Sequence, residues 1–251
     1  NTISFVGAGP GAKDLLTLRA LERIKKAEVL VWADSLVSPD IIELAPKNCE
    51  KIKTSSLTLE EIMPILIDRN KNGKKIVRLH DGDPCLYGAI SEQIQILSEA
   101  GIKSEIIPGI SAYQATASTL NSELTIPGLV QTIILSRANG RTSTPEDENL
   151  EKLASTKATL CLYLSARHVE DTEKILLKHY DEDTPVAIAY RVSWKDEWIK
   201  VVPLKLMAKE SKQKGLIRTT LYLISPALEE SKLRSKLYFP EHTHLFRPKI
   251  I

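Results

Sequence analysis

Ile3-Ser4-Phe5-Val6-Gly7-Ala8-Gly9-Pro10-Gly11-Ala12 is the stretch on which the fold turns. A short β-prone run enters a glycine-rich turn, and a helical pattern follows at once. Over 14–27, Leu15, Leu18, Leu21 and Ile24 recur at helical spacing, and Lys25 and Lys26 sit in the last turn, where they complement the helix dipole. The same unit repeats outward. Strands are expected over 28–33, 75–80 and 104–107, and helices over 59–71 and 90–100, with Pro64 expected to kink or shorten the first of these. That alternation predicts a mostly parallel sheet with helices on its faces. Five more strands are expected over 131–135, 159–164, 186–190, 198–202 and 220–224. The pair at 186–190 and 198–202 reads as a hairpin across a short polar loop, so this second sheet is mixed. The expected fold class is α/β, as two small α/β domains: 1–112 with a mostly parallel sheet and 113–251 with a mixed one.

Composition narrows the function. Hydrophobic residues at 43% and charged residues at 26% describe a globular chain and exclude wholesale disorder. Lys+Arg at 34 against Asp+Glu at 32 leaves +2, too little basic excess for a dedicated nucleic-acid binder. An anionic ligand must then be met by locally concentrated cations. No apolar run approaches the ~20 residues of a membrane span, and the chain opens on a strand rather than a signal peptide. Cys49, Cys85 and Cys161 are odd in number and far apart. That argues against a disulfide framework or a CxxC metal site and for a reducing, cytoplasmic setting. No metal site is expected.

Three loops at strand ends carry the chemistry. The first, Gly7 to Ala12, formally matches the dinucleotide fingerprint G-x-G-x-x-A, with Glu28 or Asp34 as the acidic partner. Pro10 weighs against it, because a pyrophosphate cradle works through backbone N–H groups and proline has none. A tight turn without ligand is the plainer alternative. The second, Leu79-His80-Asp81-Gly82-Asp83-Pro84-Cys85-Leu86-Tyr87-Gly88, puts two carboxylates and two glycines where open parallel sheets bind ligands, although Asp-Gly-Asp-Pro is also good turn chemistry. The third is Pro108-Gly109-Ile110-Ser111-Ala112, in which Ser111 could equally cap a helix. Together the three describe one cleft lined by backbone turns.

In this order the loops resemble those of the tetrapyrrole methylases, a family that uses S-adenosylmethionine. The matching segments are GAGPGAKDLLT at 7–17, WADSLV at 32–37, RLHDGDPCLYGAISEQ at 78–93 and PGISA at 108–112. Further on, ELTIPGLVQTIILSRANGRT at 123–142, TLCLYLSA at 159–166, RTTLY at 218–222 and THLFRP at 243–248 are similar to the branch that methylates C11 of precorrin-4 or cobalt-precorrin-4. The resemblance implies a homodimeric C-methyltransferase of cobalamin (corrin) biosynthesis. Its cofactor would be S-adenosyl-L-methionine, leaving as S-adenosyl-L-homocysteine, with the active site in the cleft between the two domains. It implies cofactor contacts at Pro10, Asp81, Gly82, Asp83, Leu86, Ser111, Ala112, Leu164, Val192, Thr219 and Thr220. Leu164 stands where methionine often packs on the adenine, and Val192 matches a backbone contact to its edge. Asp34 matches an aspartate proposed as acid/base in the related uroporphyrinogen methylases. Those relatives carry an arginine shortly after the second loop where this chain has Ala89, and Lys53 is the best match to their basic residue near the third strand.

Methyl transfer from a sulfonium is an in-line displacement, so alignment supplies much of the acceleration. An apolar, water-poor cleft favours the loss of the sulfonium charge, and Leu86, Leu164 and Val192 suit its walls. The nucleophile is a ring carbon, and a weak base, Asp34, would remove or relocate a proton. Asp34 as a plain turn residue is the competing reading. The substrate is an anionic tetrapyrrole whose rim carboxylates call for arginine forks; Lys53, His80, Arg137, Arg141 and Arg191 are the candidates. The rival readings are a sibling methylase with another target carbon, an NAD-dependent oxidoreductase using the first loop, and a tetrapyrrole-binding module without catalysis.

Overall fold

A computed structural model of the chain describes residues 2–138 and 144–229, together with 235, 239 and 243. Residues up to 116 and the segment 191–198 form one compact unit; 117–190 and the described residues from 199 onward form a second. The sequence places the short polar hairpin loop 191–197, with the strand that starts at Trp198, in the C-terminal domain. The loop, with Trp198, packs instead with the first unit.

The first unit is a parallel sheet. Its elements are β1 (Ile3–Gly7), α1 (Leu18–Lys25), β2 (Val29–Trp32), α2 (Pro39–Ile42), β3 (Glu50–Lys53), α3 (Leu59–Lys71), β4 (Ile76–His80), α4 (Ser91–Glu99), β5 (Ser104–Ile107) and α5 (Ala112–Thr119), the last running into the second unit. Strand order is β3-β2-β4-β1-β5, with β1 parallel to β4 and β5, and β2 parallel to β3 and β4. Alternation along the strands sorts two cores. Val6, Leu30, Trp32, Val77 and Leu79 join Ala20 and Ile24 of α1 and Ile41 of α2 on one face. Ile3, Phe5, Val29, Val31 and Ile76 join Ile62, Met63 and Leu66 of α3 and Leu97 of α4 on the other. Period-two burial on both faces is what a parallel sheet sandwiched by helices requires.

Three details depart from the sequence reading. The first helix is shorter than 14–27, because Thr17 caps it: its hydroxyl accepts from the Ala20 N–H at 3.1 Å. Pro64 lies inside an unbroken α3; it is exposed, as is Glu60 one turn earlier, so the carbonyl it deprives of a partner faces water. The strand β3 was not expected at all. Its Glu-Lys-Ile-Lys sequence is largely exposed at the sheet edge, and β2 is its only partner strand among the described residues, so no apolar alternation marks it.

The second unit holds β6 (Ile133–Arg137), α6 (Leu150–Ser155), β7 (Thr159–Tyr163), α7 (Val169–Leu176), β8 (Pro185–Tyr190), β9 (Trp198–Pro203), α8 (Met207–Gln213) and β10 (Thr220–Ile224). Strand order is β6-β7-β10-β8-β9. β6 and β7 are parallel, and β10 runs antiparallel to both β7 and β8, so the expected mixed sheet is present. The three cysteines are free thiols. Among the described residues no helix is long and apolar enough to cross a membrane.

Candidate active site

The three glycine-bearing loops leave the carboxyl ends of β4, β1 and β5, which are adjacent strands of one parallel sheet. Parallel neighbours deliver their following loops to the same edge, so the loops must meet. They meet backbone to backbone. A Cβ on Gly7 would lie 2.6 Å from the Gly109 Cα and 2.7 Å from the Gly82 carbonyl oxygen; one on Gly109 would lie 2.1 Å from that same oxygen. Gly9 and Gly82 exchange backbone hydrogen bonds at 3.2 and 2.9 Å, and the Ala8 N–H donates to the His80 carbonyl at 2.7 Å. Asp83 ties the second loop to the third: Oδ2 accepts from the Gly109 N–H at 2.9 Å and Oδ1 from the Cys85 N–H at 2.8 Å.

These bonds decide against the dinucleotide reading of the first loop. The N–H groups of Ala8 and Gly9 are given to the neighbouring loop, and that of Ala12 to the Ser193 hydroxyl at 3.0 Å, while Pro10 has none. Almost nothing remains to cradle a pyrophosphate.

Around this junction stand the other expected cofactor residues of the first unit. Asp81 keeps an exposed side chain, yet the dense protein around it desolvates the carboxyl and pushes it above the ordinary carboxylate range. Leu86 is half-buried in the turn closed by its N–H on the Asp83 carbonyl at 3.1 Å. Ser111 is buried, and its N–H donates to Gln114 Oε1 at 2.9 Å; Ala112 opens α5. Val192 is buried between Arg191 and Ser193, whose φ values of 45° and 64° are left-handed and rare for side-chain-bearing residues.

Asp34 is exposed in the turn after β2. A hydrogen bond from Ser55 holds its carboxyl below the usual range, with the Lys53 charge a smaller contributor in the same direction. Asp34 is therefore ionised at neutral pH and a weak base. Lys53 ends β3, in register with Trp32, which sets one cation and one carboxylate at neighbouring strand ends.

Two expected substrate contacts have distinctive surroundings. His80 is buried, 5.9 Å from the Phe5 ring centre, with its Nε2 lacking a hydrogen-bond partner among the described residues. Burial, and then the Arg78 charge, push its pKa down to about 3. A neutral, enclosed imidazole offers a rim carboxylate an N–H but no charge. Arg191 forms a 2.6 Å ion pair with Asp196, and its guanidinium lies 4.8 Å from the Trp194 ring centre, so its charge is already met within its own segment. The sequence reading passed over Arg78. It is buried in β4, donates to Thr54 Oγ1 at 3.0 Å and Gln93 Oε1 at 3.3 Å, and is pushed by burial down to about 10. An arginine at a core position of Ile-Val-Arg-Leu-His was the available signal.

In the second unit, Leu164 follows β7 with φ 53° and 68% exposure, and Thr219 precedes β10 with φ 52°. A β-branched residue in the left-handed region is a genuine outlier. The Thr219 Oγ1 is buried with no hydrogen-bond partner among the described residues, whereas the buried Thr220 hydroxyl donates to the Arg218 carbonyl at 3.0 Å. Arg137 ends β6 at half burial. Arg141 lies outside the described residues.

The chain matches the family model of the Tetrapyrrole (Corrin/Porphyrin) Methylases over residues 2–208. It is 40% identical to the cobalt-precorrin-4 C(11)-methyltransferase of Priestia megaterium, over 97% of this chain and 96% of that one. It is also 40% identical to the precorrin-4 C(11)-methyltransferase of Pseudomonas aeruginosa, over 98% and 99%. Among solved structures, cobalt precorrin-4 methyltransferase, a cobalamin biosynthetic enzyme, superposes with a TM-score of 0.88 at 40% identity, covering 91% of this chain and 96% of that one. The uroporphyrin-III C-methyltransferase of Thermus thermophilus, complexed with S-adenosylhomocysteine, superposes with a TM-score of 0.73 at 26% identity, covering 91% and 94%.

Proposed function

Because the chain belongs to the tetrapyrrole methylases, we propose that it methylates C11 of precorrin-4 or of its cobalt form, in cobalamin biosynthesis, using S-adenosyl-L-methionine. One observation carries the reading: 40% identity along nearly the whole of both chains to enzymes named for that reaction. The site residues support it. An exposed leucine at a strand end and, at another, a buried hydroxyl with no partner among the described residues suit an adenosyl group, which has a flat apolar ring and polar edges.

When bound, S-adenosylmethionine supplies a methyl group activated by its sulfonium. The work of this chain is to hold both reactants in line and keep water away. Asp81, Gly82, Asp83, Ser111, Ala112 and Pro10 present the joined loops to the cofactor. Leu86, Val192 and Leu164 supply apolar contacts, and Thr219 and Thr220 supply hydroxyl contacts. Lys53, Arg137 and Arg141 take the rim carboxylates. Asp34, ionised and weakly basic, receives the proton that the ring must shed or relocate. The enzyme works as a cytoplasmic homodimer.

The test is incubation of the protein with methyl-labelled adenosylmethionine and precorrin-4, with and without cobalt, followed by NMR of the product. Label at C11 in either arm is the expected result, and the more productive arm identifies the substrate. Label at another carbon makes the chain a sibling methylase. Binding without transfer makes it a carrier.

A further inference from the structure

The segment 191–198 interrupts the second unit's strand pair β8 and β9 to pack against the first loop of the other unit's sheet. Its grip covers three consecutive residues. The Trp194 indole Nε1 donates to the Pro10 carbonyl at 2.9 Å. Its ring lies over Gly11, where a Cβ would come within 2.2 Å of Trp194 Cδ1, so only glycine admits the indole there. The Ser193 hydroxyl accepts from the Ala12 N–H at 3.0 Å. The segment holds this posture at a cost, since Arg191 and Ser193 are both left-handed, a conformation that side-chain-bearing residues disfavour. The Arg191–Asp196 pair, the Arg191 stack on Trp194 and the donation of the Ser193 N–H to Glu197 keep it rigid. Backbone strain stabilised by surrounding contacts is characteristic of functional sites.

We propose that Ser193 and Trp194 are positioning residues for adenosylmethionine, acting through Pro10, Gly11 and Ala12. The inference rests on the reading of Pro10 as a cofactor contact. Pro10 has no N–H, so its carbonyl is the one backbone handle by which its ring can be aimed, and Trp194 holds that handle. The same two residues consume the polar groups of the loop that would otherwise seek water or a phosphate.

The experiment is isothermal titration of the full chain with S-adenosylhomocysteine, alongside Trp194→Phe, Trp194→Ala and Ser193→Ala, each checked by thermal melting. Trp194→Phe keeps an aromatic ring over Gly11 and removes the donor, and should weaken binding about 3- to 10-fold, the range of one lost hydrogen bond. Ser193→Ala should fall in the same range and speed amide exchange at Ala12; Trp194→Ala should exceed about 10-fold. In turnover, KM for adenosylmethionine should rise while KM for the tetrapyrrole stays unchanged, a split that general destabilisation does not give. Variants that bind with the wild-type Kd, or Trp194→Phe and Ser193→Ala both failing to fold, would overturn the proposal. A wild-type chain that does not bind S-adenosylhomocysteine would overturn the functional reading first, and this inference with it.

Discussion

Asp34 and Asp81 show how one residue type takes opposite character from its surroundings. A hydrogen bond from Ser55 lowers the first carboxyl, and desolvation raises the second. Asp34→Asn should therefore leave S-adenosylhomocysteine affinity unchanged and reduce kcat about 100-fold, the lower end of what a positioned acid or base contributes. Titration calorimetry and single-turnover methyl transfer read the two quantities separately, and normal turnover would return Asp34 to the role of a turn residue. Individual residues were the least legible part of the sequence. Nothing in Leu-His-Asp shows that His80 is enclosed against Phe5. Leu164 and Thr219 drew notice only through family likeness, since exposure and a left-handed backbone leave no trace in residue type.

At the scale of elements, the glycines of the three loops act as one contact. Placing a methyl group on Gly109 would drive it to 2.1 Å from the Gly82 carbonyl, so Gly109→Ala must part the second and third loops and break the Asp83 clip. We expect a loss of stability of about 1–3 kcal/mol, the usual cost of overpacking, with S-adenosylhomocysteine binding reduced. Chemical denaturation and calorimetry check both, and a variant of wild-type stability would show that the loops yield freely. These loops were legible because strand, glycine turn and helix punctuate one another in β1, β4 and β5. The strand β3 was not, because an exposed edge strand carries charge where a buried one carries apolar alternation. Segment 191–198 was not legible either. Its partners lie about 180 residues away in the chain, and no local periodicity encodes a contact of that span.

For the whole molecule, the buried His80 ties stability to pH. Its folded pKa of about 3 lies below the 6.5 of an ordinary imidazole. The unfolded chain therefore takes up a proton first as the solution is acidified. The contribution is intact above pH 6.5 and is lost progressively as pH falls toward 3. Between pH 7 and 5 the loss from this group is about 2 kcal/mol. His80→Gln should flatten the fall in denaturation midpoint over that interval, and parallel curves for the two proteins would count against a buried neutral imidazole. The fold as two α/β units, one parallel and one mixed, was legible at this scale, because periodicity and strand spacing report on sheets directly. The path of the chain was not. It passes from one unit to the other at 116–117, returns at 190–191 and leaves again at 198–199. No single cut yields the first unit intact. A fragment ending near residue 116 would keep every strand of the parallel sheet and lose the indole over Gly11, so a limited digest or a gene truncated there would give a correctly paired sheet whose first loop is unbraced.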